Sequence, residues 1–304
     1  MVAEVEILYK HAAATTGEGP HWEENSGKLL FVDIHKHTVN RFHVETKVNE
    51  QIELAADASL IVPSRDGGYI VSSQRKLCHL DWDTKEVKDL FEVPEVGQKD
   101  RFNDGKCDHQ GRLWAGTMGF ETAPAVPELG AGRLFMMEKG NLSVADDTPF
   151  DISNGLAWSA DDTVMYFVDS IPRHVYAYDF DPSNGAIANR RVAIDFSKWS
   201  LEETGYPDGM CIDQEGKLWI AGFASSKVMQ FDPVTGQKLS EVKLPAKQVT
   251  SCCFGGKDYA DMFVTSSAAG YSPEEMAKVD PLNGSIFRVT GLGSKGLPAD
   301  SYCP

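Results

Sequence analysis

The sequence predicts an all-β chain, a six-bladed β-propeller with four antiparallel strands in each blade. Three observations predict it. A polar turn followed by a short apolar and aromatic strand recurs six times along the chain. The copies lie 39, 44, 52, 53 and 44 residues apart, measured between Leu30, Tyr69, Leu113, Met165, Leu218 and Met262. Few segments hold a helical period. Units of about 40–50 residues with four short strands each are the sequence signature of propeller blades.

The elements follow in order. The first copies are Ser26-Gly27-Lys28-Leu29-Leu30-Phe31-Val32-Asp33, Asp66-Gly67-Gly68-Tyr69-Ile70-Val71-Ser72 and Gln110-Gly111-Arg112-Leu113-Trp114-Ala115-Gly116. The later ones run from Asp161 to Asp169, Glu215 to Gly222 and Tyr259 to Thr265. Each is preceded by a short apolar stretch, as at Pro20-His21-Trp22, Leu156-Ala157-Trp158 and Met210-Cys211-Ile212. Each is followed by an alternating strand, as at Val39 to Val44, Val175 to Phe180 and Ser285 to Val289. Fourth strands are readable in places, at Gln51 to Leu54 and Glu241 to Leu244. Val5-Glu6-Ile7-Leu8-Tyr9 alternates and is expected to pair with the last copy, closing the ring and removing an exposed strand edge. One blade cannot bury both of its faces, so the blades must stack. Residues 1–304 are therefore expected to form one domain. A pair of β-sandwiches is the alternative, and the sixfold phrase argues against it.

Composition narrows the function. The 304 residues carry 29 Lys and Arg against 45 Asp and Glu, a net charge of −16. So acidic a body repels phosphate backbones and anionic membrane surfaces, so no nucleic acid and no membrane are expected as partners. No apolar run approaches the ~18 residues of a membrane-spanning helix. The acidic, alternating start lacks the pattern of a secretory signal, so a cytoplasmic location is expected. The six cysteines form no CxxC and are read as small buried apolar groups in a reducing compartment. His35-Lys36-His37 has the spacing of two metal ligands on one strand face, but its neighbours read as a solvated turn. No Ser-His-Asp arrangement, nucleophile elbow or phosphate loop is present. Gly291 to Gly296 opens no helix and makes no dinucleotide site.

The repeat also places a site. In a propeller the innermost strands line a central channel, so the residues heading them gather at one mouth. Those residues are Glu18-Gly19, Ala58-Ser59, Asn103-Asp104-Gly105, Asn154-Gly155, Asp208-Gly209 and Thr250-Ser251. Asp-Gly and Asn-Gly are ordinary turn formers, but here they recur in phase. Carboxylates at close range repel unless protonated or neutralised by a cation. An oxygen set with an amide suits one divalent cation, Ca²⁺, Mg²⁺ or Mn²⁺, with Zn²⁺ also accommodated. Two links are longer than the rest, Gly119 to Leu129 and Ser197 to Pro207, and insertions in repeat proteins collect on the binding face. Arg101 is the one cation near the mouth. It suits a polar or anionic substrate group, is expected at the surface, and has an ion pair with a local acid such as Asp100 as its alternative role.

Several stretches resemble one known family. They are Gly17 to Trp22, Arg101 to Lys106, Ala115 to Met118, Glu121 to Val126, Asp151 to Leu156, Pro207 to Asp213, Thr250 to Gly256 and Val289 to Gly293. In this order, and over essentially the whole chain, they resemble the family of regucalcin (senescence marker protein 30), the gluconolactonases and the luciferin-regenerating enzymes. Glu121 to Val126 and the Cys252-Cys253 stretch are more similar to its regucalcin branch. The resemblance implies a six-bladed propeller with one divalent metal on Glu18, Asn154 and Asp208. It implies substrate contacts from Arg101, Asn103 and Glu121, and Asp208 as proton acceptor and donor. The activity implied is hydrolysis of aldonolactones such as gluconolactone. A small-molecule lactone is the expected partner, and a monomer or weak homodimer is the expected state. A cytosolic calcium-binding regulator and a luciferin-regenerating type of enzyme are the alternatives. The stretch from Trp199 to Tyr206 looks longer than in the regucalcin branch, which bears on substrate choice.

Overall fold

The computed structural model describes residues 3–93, 97, 99–123 and 126–304. Six antiparallel four-stranded sheets form a six-bladed β-propeller, with a separate two-stranded hairpin at Glu121–Ala123 and Val126–Pro127. In blades 1 to 5 the strands follow one another outward in chain order. Their innermost strands are Gly17–Glu23, Ile61–Pro63, Arg101–Cys107, Ser153–Trp158 and Tyr206–Ile212. Blade 6 begins on Val249–Gly255 and takes its outermost strand from the start of the chain. Glu4–Tyr9 pairs antiparallel with Ile286–Thr290, with Val5 opposite Val289. The expected closure of the ring is therefore present.

The apolar runs of the repeat are explained by burial on both faces of each blade. In Leu29-Leu30-Phe31-Val32, Leu29 and Phe31 pack into a layer shared with Phe263 and Phe287 of blade 6. Leu30 and Val32 face the other way, onto Ile61, Tyr69 and Val71 of blade 2. The same alternation continues around the ring. Phe102 and Leu113 of blade 3 join Leu60 and Ile70 of blade 2, while Trp114 joins Leu156 and Phe167 of blade 4. The core is thus a series of layers between blades rather than one central mass, and the axis is left to polar groups.

After the last strand the chain runs across the ends of the inner strands opposite the cavity described below. Gly296 bridges Asp213 of blade 5 and donates its amide to the Tyr259 carbonyl. Tyr302 bridges Ser64 of blade 2, and the Cys303 amide reaches the Gly111 carbonyl of blade 3. Gly291 to Gly296, which suggested no helix, belongs to this strap. All six cysteines are free, and all but the half-buried Cys303 are buried. Among the described residues no helix is long and apolar enough to cross a membrane.

Candidate active site at the propeller axis

The site begins with interruptions in the inner strands. The pairing register slips between Glu18 and His21, between Phe102 and Asp104, between Ser153 and Leu156, and between Pro207 and Met210. Asn103, Asn154 and Asp208 fall inside these slips and Glu18 stands at the edge of one. Irregularities of this kind re-aim a side chain out of the regular pleat. The adjoining glycines allow neighbouring strands to close up. A Cβ on Gly155 would lie 2.5 Å from the Met210 amide nitrogen of the next blade, and one on Gly209 would strike the Ser251 side chain. The Asn-Gly and Asp-Gly pairs are therefore packing requirements of the axis.

These bulges deliver Glu18, Asn103, Asn154 and Asp208 to one cavity of about 500 Å³, which Arg101 and Glu121 also line. Each of the four is at least nine-tenths buried. The Asn154 amide group donates to Ser170 Oγ at 3.0 Å, and Ser170 passes a hydrogen bond to the Pro207 carbonyl at 2.7 Å. That fixes the amide and leaves Asn154 Oδ1 buried without a hydrogen-bond partner among the described residues. Glu18 Oε2 accepts only the amide of the adjacent Gly19, at 2.7 Å, among the bonds described.

The electrostatics are those of crowded acids. Burial, then the carboxylates of Asp208 and Asp104, push the Glu18 pKa well above the usual carboxylate range. Burial and Asp104 do the same to Asp208, against hydrogen bonds from Asn154 and Gly209. Burial raises Asp104 to about 6, with Lys106 opposing. Among the described residues no three His, Cys, Asp or Glu side chains form a metal-holding group. The oxygen set here is two carboxylates and an amide.

Arg101 departs from expectation. It is 6% exposed, not at the surface, and among the described residues it pairs with Glu121 and Asp57 rather than with Asp100 or Asp104. Its guanidinium donates to Asn103 Oδ1 at 2.6 Å, to the Phe102 carbonyl at 3.1 Å and to Glu121 Oε2 at 2.9 Å. Asn103 in turn donates to the Ser153 carbonyl at 2.8 Å. Arg101, Asn103 and Glu121 are thus one hydrogen-bonded unit. Glu121 comes from the first long link, whose Pro124 and Ala125 lie outside the described residues. The second long link forms a short helix, Leu201–Thr204, and brings Tyr206 to the cavity.

The turn at His35 and His37 is only half solvated. His35 Nδ1 and His37 Nε2 contact opposite oxygens of Asp57, at 3.2 and 3.1 Å. His35 also lines the cavity. Sequence reasoning passed over Asp57, Ile171, Tyr206 and Phe223. Tyr206 carried one signal, its place at the end of a long link next to Asp208.

The sequence and the fold have counterparts in known proteins. The model of the SMP-30/Gluconolactonase/LRE-like region matches residues 16–268. The chain belongs to this family. It is 43% identical over 286 residues to human regucalcin, covering 94% of each chain. A solved luciferin-regenerating enzyme superposes over the full length of both chains with a TM-score of 0.88 and 32% identity. A calcium-binding protein, regucalcin, from Agrobacterium tumefaciens gives a TM-score of 0.87 at 26% identity, over 96% of this chain and 95% of its own. The SMP-30/gluconolactonase scaffold accounts for the propeller, and the bulged inner strands are where this member carries its polar axis.

Proposed function

We propose that this protein is a divalent-cation-dependent hydrolase of cyclic esters, opening sugar lactones such as gluconolactone. One observation carries the reading. The buried donor set of Glu18, Asn154 and Asp208 opens on the same cavity as the Arg101–Asn103–Glu121 unit. A site that only held an ion would need no such cavity.

The residues fit a cation. Among the described residues Asn154 Oδ1 has no partner, and the two carboxylates repel, so Ca²⁺, Mg²⁺, Mn²⁺ or Zn²⁺ would satisfy both deficits. When bound, such an ion polarises the ester carbonyl and lowers the pKa of water. Arg101, Asn103 and Glu121 bind ring hydroxyls and orient the lactone for attack. Asp208 takes a proton from the attacking water and returns it to the leaving ring alkoxide. Family membership supports this chemistry, since gluconolactonase stands in the family's own name.

A second reading, a calcium-binding regulator without turnover, draws on the oxygen-only donors and on the calcium-binding relative. The test is a lactone panel assayed with metal-stripped protein, each cation being added back in turn. Restored hydrolysis by several divalent ions is expected. Micromolar Ca²⁺ binding with no hydrolysis under any ion favours the regulator.

A further inference from the structure

The cavity lining is of two unlike kinds. Besides the Arg101–Asn103–Glu121 unit and the donor set, the lining includes the apolar Ile34, Met118, Ile152, Ile171 and Phe223 and the ring of Tyr206, together with further polar groups such as Ser170 and Gln248. A ring hydroxyl buried against the apolar members without a partner would be costly. The sugar lactone of the reading above therefore makes little use of that apolar surface.

The apolar lining is built by specific means. Tyr206 and Phe223 are direct cross-strand partners in blade 5 and therefore neighbours on one face. The chain reaches Tyr206 through Gly205, at φ +64°, where a Cβ would run into the Phe223 carbonyl. Only glycine fits this turn without strain. The long link ahead of Asp208 thus ends by laying an aromatic ring beside the base. Ile171, Tyr206 and Phe223 are half-buried, and none belongs to the buried layers between blades. Their apolar surface faces the cavity without serving the core. A cavity of about 500 Å³ is also of the size that takes drug-sized ligands.

We infer that the substrates this member prefers are amphipathic lactones: a polar ring edge meets Arg101, Asn103 and Glu121, and an alkyl or aryl arm lies against Ile171, Tyr206 and Phe223. The inference rests on the lactone-hydrolase reading and adds the substrate class.

The experiment keeps the two separable. The cation-loaded protein is assayed on gluconolactone and on γ-lactones of one ring size whose arm grows from methyl to pentyl. The kcat/KM is expected to rise about 10–100-fold along the series, as for apolar groups entering an apolar pocket. Tyr206→Ala should flatten that rise. Phe223→Leu, which keeps an apolar side chain, serves if Tyr206→Ala does not fold. A flat or falling series with active gluconolactone hydrolysis overturns the inference and leaves the lactonase reading intact. Binding of the corresponding 4-hydroxy acids is measured by calorimetry on the same protein. If no lactone is opened but affinity still grows with arm length, the lactonase reading fails and the apolar subsite stands. If affinity does not grow either, both fail.

Discussion

Two buried aspartates at opposite ends of one strand neighbourhood in blade 5 behave in opposite ways. Asp213, at the end away from the cavity, is fully buried. Its Oδ1 accepts the amides of Glu215 and Lys217 at 3.0 and 2.9 Å, and its Oδ2 accepts the Trp219 indole and the Gln230 amide at 2.9 Å each. Asp108 repeats the arrangement in blade 3, with Arg112 and Trp114 as side-chain donors. Asp208, five residues before Asp213, takes hydrogen bonds from Asn154 and Gly209 and feels the repulsion of Asp104. Both are buried, while the supply of donors differs. Where donors close around a carboxylate it belongs to the fold, and where they are withheld it is left for a cation, a proton or a substrate.

The sharpest way to break this comparison is Asp208→Asn. An amide still offers an oxygen but cannot take the proton, so lactone turnover should fall roughly 10²–10⁴-fold, the range for lost acid–base help. Cation affinity, followed by calorimetry, should only weaken. Near-normal turnover would assign the base elsewhere. Next is Asp213→Ala, which strands two amides, an indole and a side-chain amide in the interior. A loss of about 3 kcal/mol or more is expected. The melting temperature should fall by several degrees, with lactone kcat/KM unchanged in the folded protein. A melting curve like the parent's would remove Asp213 from the fold's supports.

The smallest effect is in pH. Glu18, Asp208 and Asp104 have raised folded-state pKa values, Asp104 at about 6. Their contribution to stability is fully present below the unfolded carboxylate value of about 4 and is lost as pH rises through the folded values. Cation-free protein should therefore melt lower at pH 8 than at pH 5, by a margin that added divalent cation narrows. Buried Asp169, raised to about 7, contributes the same sign without the cation's relief. A cation-free melting temperature that climbs with pH across this window would show that the axial acids are not crowded.

Much of this was legible in the sequence, for a physical reason. Strands buried on both faces must repeat one apolar phrase, so Leu30, Tyr69, Leu113, Met165, Leu218 and Met262 fixed the blades. The phase of the repeat then brought Glu18, Asn154 and Asp208 to one cavity. Arg101 was misplaced because a lone arginine beside polar residues looks solvated. Its burial depends on Glu121, twenty residues away on a hairpin outside the repeat. The apolar lining was hidden for a related reason. Ile171 follows its strand and Phe223 ends its own as ordinary apolar residues, and only the ring geometry brings them to the cavity.

The strap from Gly291 to Cys303 has a mechanical consequence. Because Glu4 lies opposite Thr290, both chain ends leave blade 6 at the same edge. Tension between the termini would first peel the strap from blades 3, 2 and 5. It would then unzip the closing strand one rung at a time, starting at that edge, rather than shear all its rungs together. The propeller is a belt whose buckle yields to a pull on its own two ends, while an outward push on the ring loads every rung at once.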